Sequence, residues 1–117
     1  MRKLTKAVSV AAAVAMTATC FSTTAFADDT FKIGGIGPIT GGAAVYGQAV
    51  MNASQMAADE INAAGGINGY QIEFNFQDDE HDAEKSVNAY NTLKDWGMQM
   101  LLGTVTSTPC TAVEGEA

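Results

Sequence analysis

The 117-residue sequence is short of cysteine, histidine and basic side chains, and each shortage closes off a class of function. Six Lys and Arg stand against thirteen Asp and Glu, and three of the six, Arg2, Lys3 and Lys6, crowd the very start. Beyond that basic head the chain holds three basic against thirteen acidic side chains, a formal charge of −10. Such a surface repels phosphate backbones and anionic lipid, so no nucleic-acid partner is expected. Of the two cysteines, Cys20 lies in the leading stretch, which leaves Cys110 without an intramolecular disulfide partner. The single histidine, His81, is the one imidazole available to activate that thiol, and nothing in the spacing fixes the two together. With no catalytic constellation visible, the chain reads as a non-enzyme. The glycine-rich stretch GGIGPITGG has no Lys-Ser/Thr pair for a phosphate loop, and Gly35-x-Gly37-x-x-Thr40 lacks the third glycine of the dinucleotide fingerprint. An acidic residue closes the second strand about 40 residues after the first glycine, where that fingerprint wants about 20. A nucleotide-binding α/β enzyme is thus only a remote alternative, and no cofactor is expected.

The first 27 residues have the three-part layout of a secretory signal. A basic head precedes the apolar run Ala7 to Ala18, and Ala25-Phe26-Ala27 supplies the small-x-small cleavage site. The apolar run is too short for a comfortable membrane span. The division is therefore 1–27 signal peptide and 28–117 folded part, with cleavage after Ala27 and a secreted or periplasmic destination. Cys20 offers a lipid anchor as the alternative, but Thr17-Ala18-Thr19 before it makes a poor lipobox.

Phe31 to Ala64 organises the rest. FKIGGIGPITGG is a short apolar strand that breaks into a glycine-rich turn. A helical pattern follows, with Val50, Ala53, Ala57, Ile61 and Ala64 at helical intervals as the expected buried stripe. Gly65 and Gly66 end it. Gln71 to Gln77 alternates, with Ile72, Phe74 and Phe76 on one face, which predicts an edge strand. Asp78 to Asp82 then reads as an acidic loop whose Asp82 caps the next helix; as a metal site its spacing matches no calcium loop. Ala83 to Trp96 predicts a second helix with Ala83, Val87, Tyr90 and Leu93 inward, Trp96 as a packing anchor and Gly97 as the stop. The continuous apolarity of Met98 to Val105, broken by Gly103, predicts a strand covered on both faces. Thr106-Ser107-Thr108-Pro109 is either a site for a carboxylate or phosphate, or a plain helix N-cap. The pattern is β-α-β-α-β, an α/β fold with a parallel sheet between helical layers. The third strand is expected to keep an open outer edge, and the chain to be the leading piece of a longer protein.

Strand, then GPITG, VYGQ, ADEINAAGGING, a strand ending in DD, and later a strand–GTVTS–helix start together resemble the branched-chain amino-acid binding proteins of ABC importers. The likeness runs from Phe31 to the end. It implies a partial N-terminal lobe of a two-lobed periplasmic-binding-protein-like fold, with a three-layer α/β/α parallel sheet. It implies a solute-binding subunit that captures a small amino acid and delivers it to a membrane permease. A ligand-sensing ectodomain on the same fold is the alternative. By position, Ser107 matches the family serine that holds the ligand carboxylate, and Tyr46 the first-loop aromatic that packs on the ligand side chain, while Thr106 and Thr108 flank the serine. Some members carry a disulfide at the positions held here by His81 and Thr106. The groups expected to bind the ligand ammonium belong to the second lobe.

Overall fold

A computed structural model describes residues 29–117; the expected signal segment, the cleavage site expected after Ala27 and Cys20 lie outside them. Six elements alternate: β1 (Thr30–Gly37), α1 (Ala44–Ala63), β2 (Gln71–Asp78), α2 (Ala83–Trp96), β3 (Met100–Thr104) and α3 (Ser107–Glu114). The strands are all parallel in the order β2-β1-β3. The chain therefore steps from β1 to one neighbour, then crosses back over β1 to the other side. With right-handed crossovers these two steps put α1 and α2 on opposite faces of the sheet.

The alternation along β1 shows the two faces. Ile36 points into a core with Ala89 and Leu93 of α2 and Val113 of α3, flanked by Tyr90, Trp96, Met98 and Leu101. Gly35 faces the other way, where a Cβ would strike the Phe76 ring; this is the side that α1 covers, packing on β2 and β1. α2 matches its expected span, with Leu93 buried, but its most enclosed companions are Ser86 and Ala89 rather than Val87 and Tyr90. Trp96 is a packing anchor: it borders the core, and the Lys32 Nζ sits 5.1 Å above its ring while donating to the Trp96 carbonyl at 3.0 Å.

Two packing expectations are corrected. On α1 the inner face is Gly47, Met51, Ser54, Ala58 and Ile61, whereas Val50, Ala53, Ala57 and Ala64 are exposed. The helix is alanine-rich nearly all round, so its pattern discriminates faces poorly; contact decides instead. Gly47 lies against Pro38 so closely that a Cβ there would overlap the Pro38 carbonyl, and this approach sets the rotation. β3 is likewise not covered on both faces. Met100 and Leu102 are 46% and 41% exposed on the α1 side, because α1 lies over β2 and β1 and not over β3.

Two other expectations hold. β2 is an edge strand, and its free edge is blocked by a side chain. Asn62 of α1 donates to the Ile72 carbonyl and accepts from the Ile72 N–H, both at 2.7 Å, which takes up the outward backbone groups at the start of the strand that an added strand would use. β3 has no partner on its outer side among the described residues. The residue that interrupts β3, Gly103, has φ 52° and is the extra residue of a bulge where the pairing slips between Gly35 and Ile36.

Candidate functional site

β1 and β3 are neighbours, yet the helices that follow them lie on opposite faces. Their loops must therefore part at the carboxyl end of the sheet, and the gap between them is the crevice where open α/β sheets bind ligands. Pro38 to Ala43 form one wall, and Val105 with the start of α3 the other.

The first wall is held from β2. The Asp78 carboxylate accepts from the Ile39 N–H at 2.8 Å, the Thr40 hydroxyl at 2.6 Å, the Glu80 N–H at 3.0 Å and, weakly, the Thr40 N–H at 3.4 Å. Burial pushes the Asp78 carboxyl up, but the bonds from Thr40, Ile39 and Glu80 outweigh it together and hold it below the usual aspartate value. From the same wall Gln48 donates to the Ile39 carbonyl at 2.9 Å. Tyr46 stands in the first turn of α1, 65% exposed.

The turn Asp79 to Asp82 leads from β2 into α2, and His81 within it reaches the second wall at Thr106. Glu80 and His81 have φ of 49° and 60°, and the Asp82 N–H closes the turn on the Asp79 carbonyl at 2.8 Å. Two successive left-handed residues without glycine are costly, and such backbones concentrate at functional sites. The acidic side chains diverge instead of converging on an ion. Asp78 serves the first loop, Glu80 pairs with Lys85, and Asp82 caps α2 through the Lys85 N–H at 2.8 Å. Asp79 is fully buried; one oxygen accepts from the His81 N–H at 2.8 Å and the other has no partner among the described residues. Burial drives its carboxyl above the usual value, and the Asp78 charge adds to this.

The second wall presents the hydroxyls. Thr106 is the N-cap of α3 and makes no side-chain cap bond; its hydroxyl instead shares a 2.8 Å hydrogen bond with His81 Nδ1. Ser107 and Thr108, the first two helical residues, are exposed, and Pro109 follows buried. Because Pro109 has no N–H, the free donors at this helix end are the Ser107 and Thr108 backbone N–H groups and their hydroxyls. Ser107, Thr108 and Thr111 border one shallow groove with Ala83 and Ala112; Tyr46 does not line it. The structure thus gathers Thr106, Ser107 and Thr108 at one helix end and leaves Tyr46 apart from them, exposed in the first turn of α1. Two features were not explicit in the sequence: the Asp78 clasp on the first loop, and the His81–Thr106 bond, whose two positions the disulfide of some members of the resembled family already brings together. The paired aspartates ending β2 were the only signal for the first.

The family model described as periplasmic binding protein matches residues 30–116. The chain belongs to the periplasmic binding protein family. A Leu/Ile/Val-binding protein of Rhizobium johnstonii is 39% identical over 95 residues, which is 79% of this chain and 26% of the relative. Among solved structures, the branched-chain amino acid transporter substrate-binding protein of Streptococcus pneumoniae, in complex with isoleucine, superposes with a TM-score of 0.71 at 35% identity over 75% of this chain and 26% of that one. A fatty acid ABC transporter substrate-binding protein from Thermomonospora curvata gives 0.71 at 29% identity over 76% and 23%. This periplasmic binding protein chain spans about a quarter of the length of the curated relatives it matches. Its three-stranded parallel sheet with helices on both faces is the α/β architecture of the family's type 1 structures. No helix among the described residues is long and apolar enough to cross a membrane.

Proposed function

We propose that this chain forms one wall of the ligand cleft of an extracytoplasmic solute-binding subunit, which captures a small amino acid and delivers it to an ABC permease. The observation that carries the reading is the uncapped start of α3 at the crevice between β1 and β3. Two free N–H groups, the hydroxyls of Ser107 and Thr108, and the positive end of the helix dipole suit a carboxylate. The ligands named for the two structural neighbours above, isoleucine and a fatty acid, are both carboxylic acids with apolar bodies. Thr106 supports this wall, and Tyr46 on the other supplies an aromatic surface for the apolar body. Branched-chain amino acids are the class that satisfies both walls, with the ammonium held elsewhere in the protein. The role proposed is binding, as the relatives' names as binding proteins support.

Calorimetric titration of the intact protein against leucine, isoleucine, valine, alanine and glycine tests this. A hydrogen bond to a charged group contributes about 1.5 to 3 kcal/mol, so Ser107→Ala should weaken binding by roughly tenfold to a hundredfold while leaving ligand-free stability unchanged. Tyr46→Ala should weaken leucine binding more than glycine binding. Unaltered affinities in Ser107→Ala, with easier unfolding, would make the serine part of a helix start and nothing more.

A further inference from the structure

The N-cap of α3 has the right residue type and does not cap. A threonine at this position ordinarily turns its hydroxyl inward to accept from the N–H two or three residues on. Here the third residue is Pro109, which has no N–H, so the Thr108 N–H is the one backbone donor that Thr106 could take. It does not take it: the side-chain rotamer that sets the hydroxyl 2.8 Å from His81 Nδ1 leaves it without a cap bond.

We infer that His81 is a positioning residue for the ligand cleft: by engaging the Thr106 hydroxyl it keeps the Thr108 N–H free for the ligand's carboxylate. The inference rests on the carboxylate reading of this helix end and adds to it the residue that keeps the end open. His81 is placed for the task by its own backbone. Its φ of 60° and its N–H bond to the buried Asp79 carboxylate fix the turn from which the ring reaches across to α3. A clasp between the loops after β2 and β3 would by itself require only some bond there. This one also holds Thr106 in a rotamer from which its hydroxyl makes no bond to the Thr108 N–H.

The test is a cycle in the intact protein, using leucine as the probe. In His81→Ala the freed Thr106 hydroxyl swings onto the Thr108 N–H, and leucine binding should weaken about fivefold, the worth of an average cap bond. Because Thr106→Ala removes the competing hydroxyl, adding His81→Ala to Thr106→Ala should cost much less leucine affinity than the same change costs the parent. Independently of any ligand, the Thr108 amide followed by NMR hydrogen exchange should be open in the parent, protected in His81→Ala and open again in the double variant. Parent-like leucine binding and an unprotected Thr108 amide in His81→Ala would overturn the inference. A loss from His81→Ala as large in the Thr106→Ala background as in the parent would also overturn it, since His81 would then act without Thr106. A parent that binds no leucine or other amino acid, with the exchange pattern as expected, would instead sink the carboxylate reading and leave the cap competition standing.

Discussion

Asp78 is the residue through which the edge strand governs the cleft, and removing its carboxylate should be felt in both stability and binding. Three of its bonds are short, from the Ile39 N–H, the Thr40 hydroxyl and the Glu80 N–H, at 2.6 to 3.0 Å. Each bond to a charged acceptor contributes about 1.5 to 3 kcal/mol, but water replaces part of that at a half-buried site and the three are not additive. Asp78→Ala should therefore cost about 2 to 3 kcal/mol. Asp78→Asn keeps an acceptor for Ile39 and loses the charge, for about 1 kcal/mol. The pH dependence has a definite sign. The folded carboxyl lies below 3.8, so its stabilisation is present above that value and is lost as the pH falls through the folded value. Denaturant unfolding of the ligand-free protein at neutral pH and at about pH 3 should show the parent losing the advantage over Asp78→Asn that it holds at neutral pH. Since Tyr46 hangs from the same wall, leucine affinity should fall in Asp78→Ala as well. An Asp78→Ala protein that unfolds at the parent's midpoint and binds leucine as tightly would refute the clasp.

Gly47→Ala should be among the most damaging small substitutions, because the added Cβ meets the Pro38 backbone, which cannot rotate away. A loss of about 1 to 3 kcal/mol with a shifted Tyr46 is expected, read by thermal unfolding and by leucine titration; a neutral outcome would mean that α1 can ride outward freely. Protein exported from a bacterial host should begin at Asp28, as intact mass would show, and a diacylglyceryl mass on Cys20 would place the anchor there instead.

What was legible in the sequence followed from strong local signals. Glycines after α1 and α2, the alternation of Ile72, Phe74 and Phe76, and Asp82 before a helical pattern each fix a boundary by backbone chemistry alone, and the element order came out as β-α-β-α-β with β2 at an edge. Rotation of α1 was not legible. A stripe is readable only when its neighbours on the wheel differ, and here alanine occupies positions 53, 57 and 58 alike. The choice among them was made by Gly47 against Pro38, a contact between a helix and the loop before it. The two-sided cover expected for β3 failed for a related reason: continuous apolarity reports what a strand can bury, while its cover depends on how far α1 reaches.

At the cleft the residue types were legible and their pairings were not. Ser107, Thr106 and Thr108 stand at a helix start as the hydroxyl-rich turn implied, but which hydroxyl is engaged depends on a turn 25 residues earlier. Asp79 shows the limit most clearly, since two adjacent aspartates look alike in sequence and have opposite environments. Asp78 is surrounded by donors, while Asp79 is fully buried with a single bond, so its carboxyl is raised where that of Asp78 is lowered. For Asp79 the sign therefore reverses. The fold favours the protonated form, so the penalty of ionisation is absent below 3.8 and grows as the pH rises through the folded value. Asp79→Asn keeps the acceptor for the His81 N–H and never ionises. Whatever the variant gains or loses in packing is independent of pH, so the useful quantity is the change in its stability relative to the parent. Between about pH 3 and about pH 6 that difference should move in the variant's favour. Denaturant midpoints measured in parallel across that range would decide it: a flat difference would mean that the Asp79 carboxylate is solvated after all, and that the turn carrying His81 is not held by a buried charge.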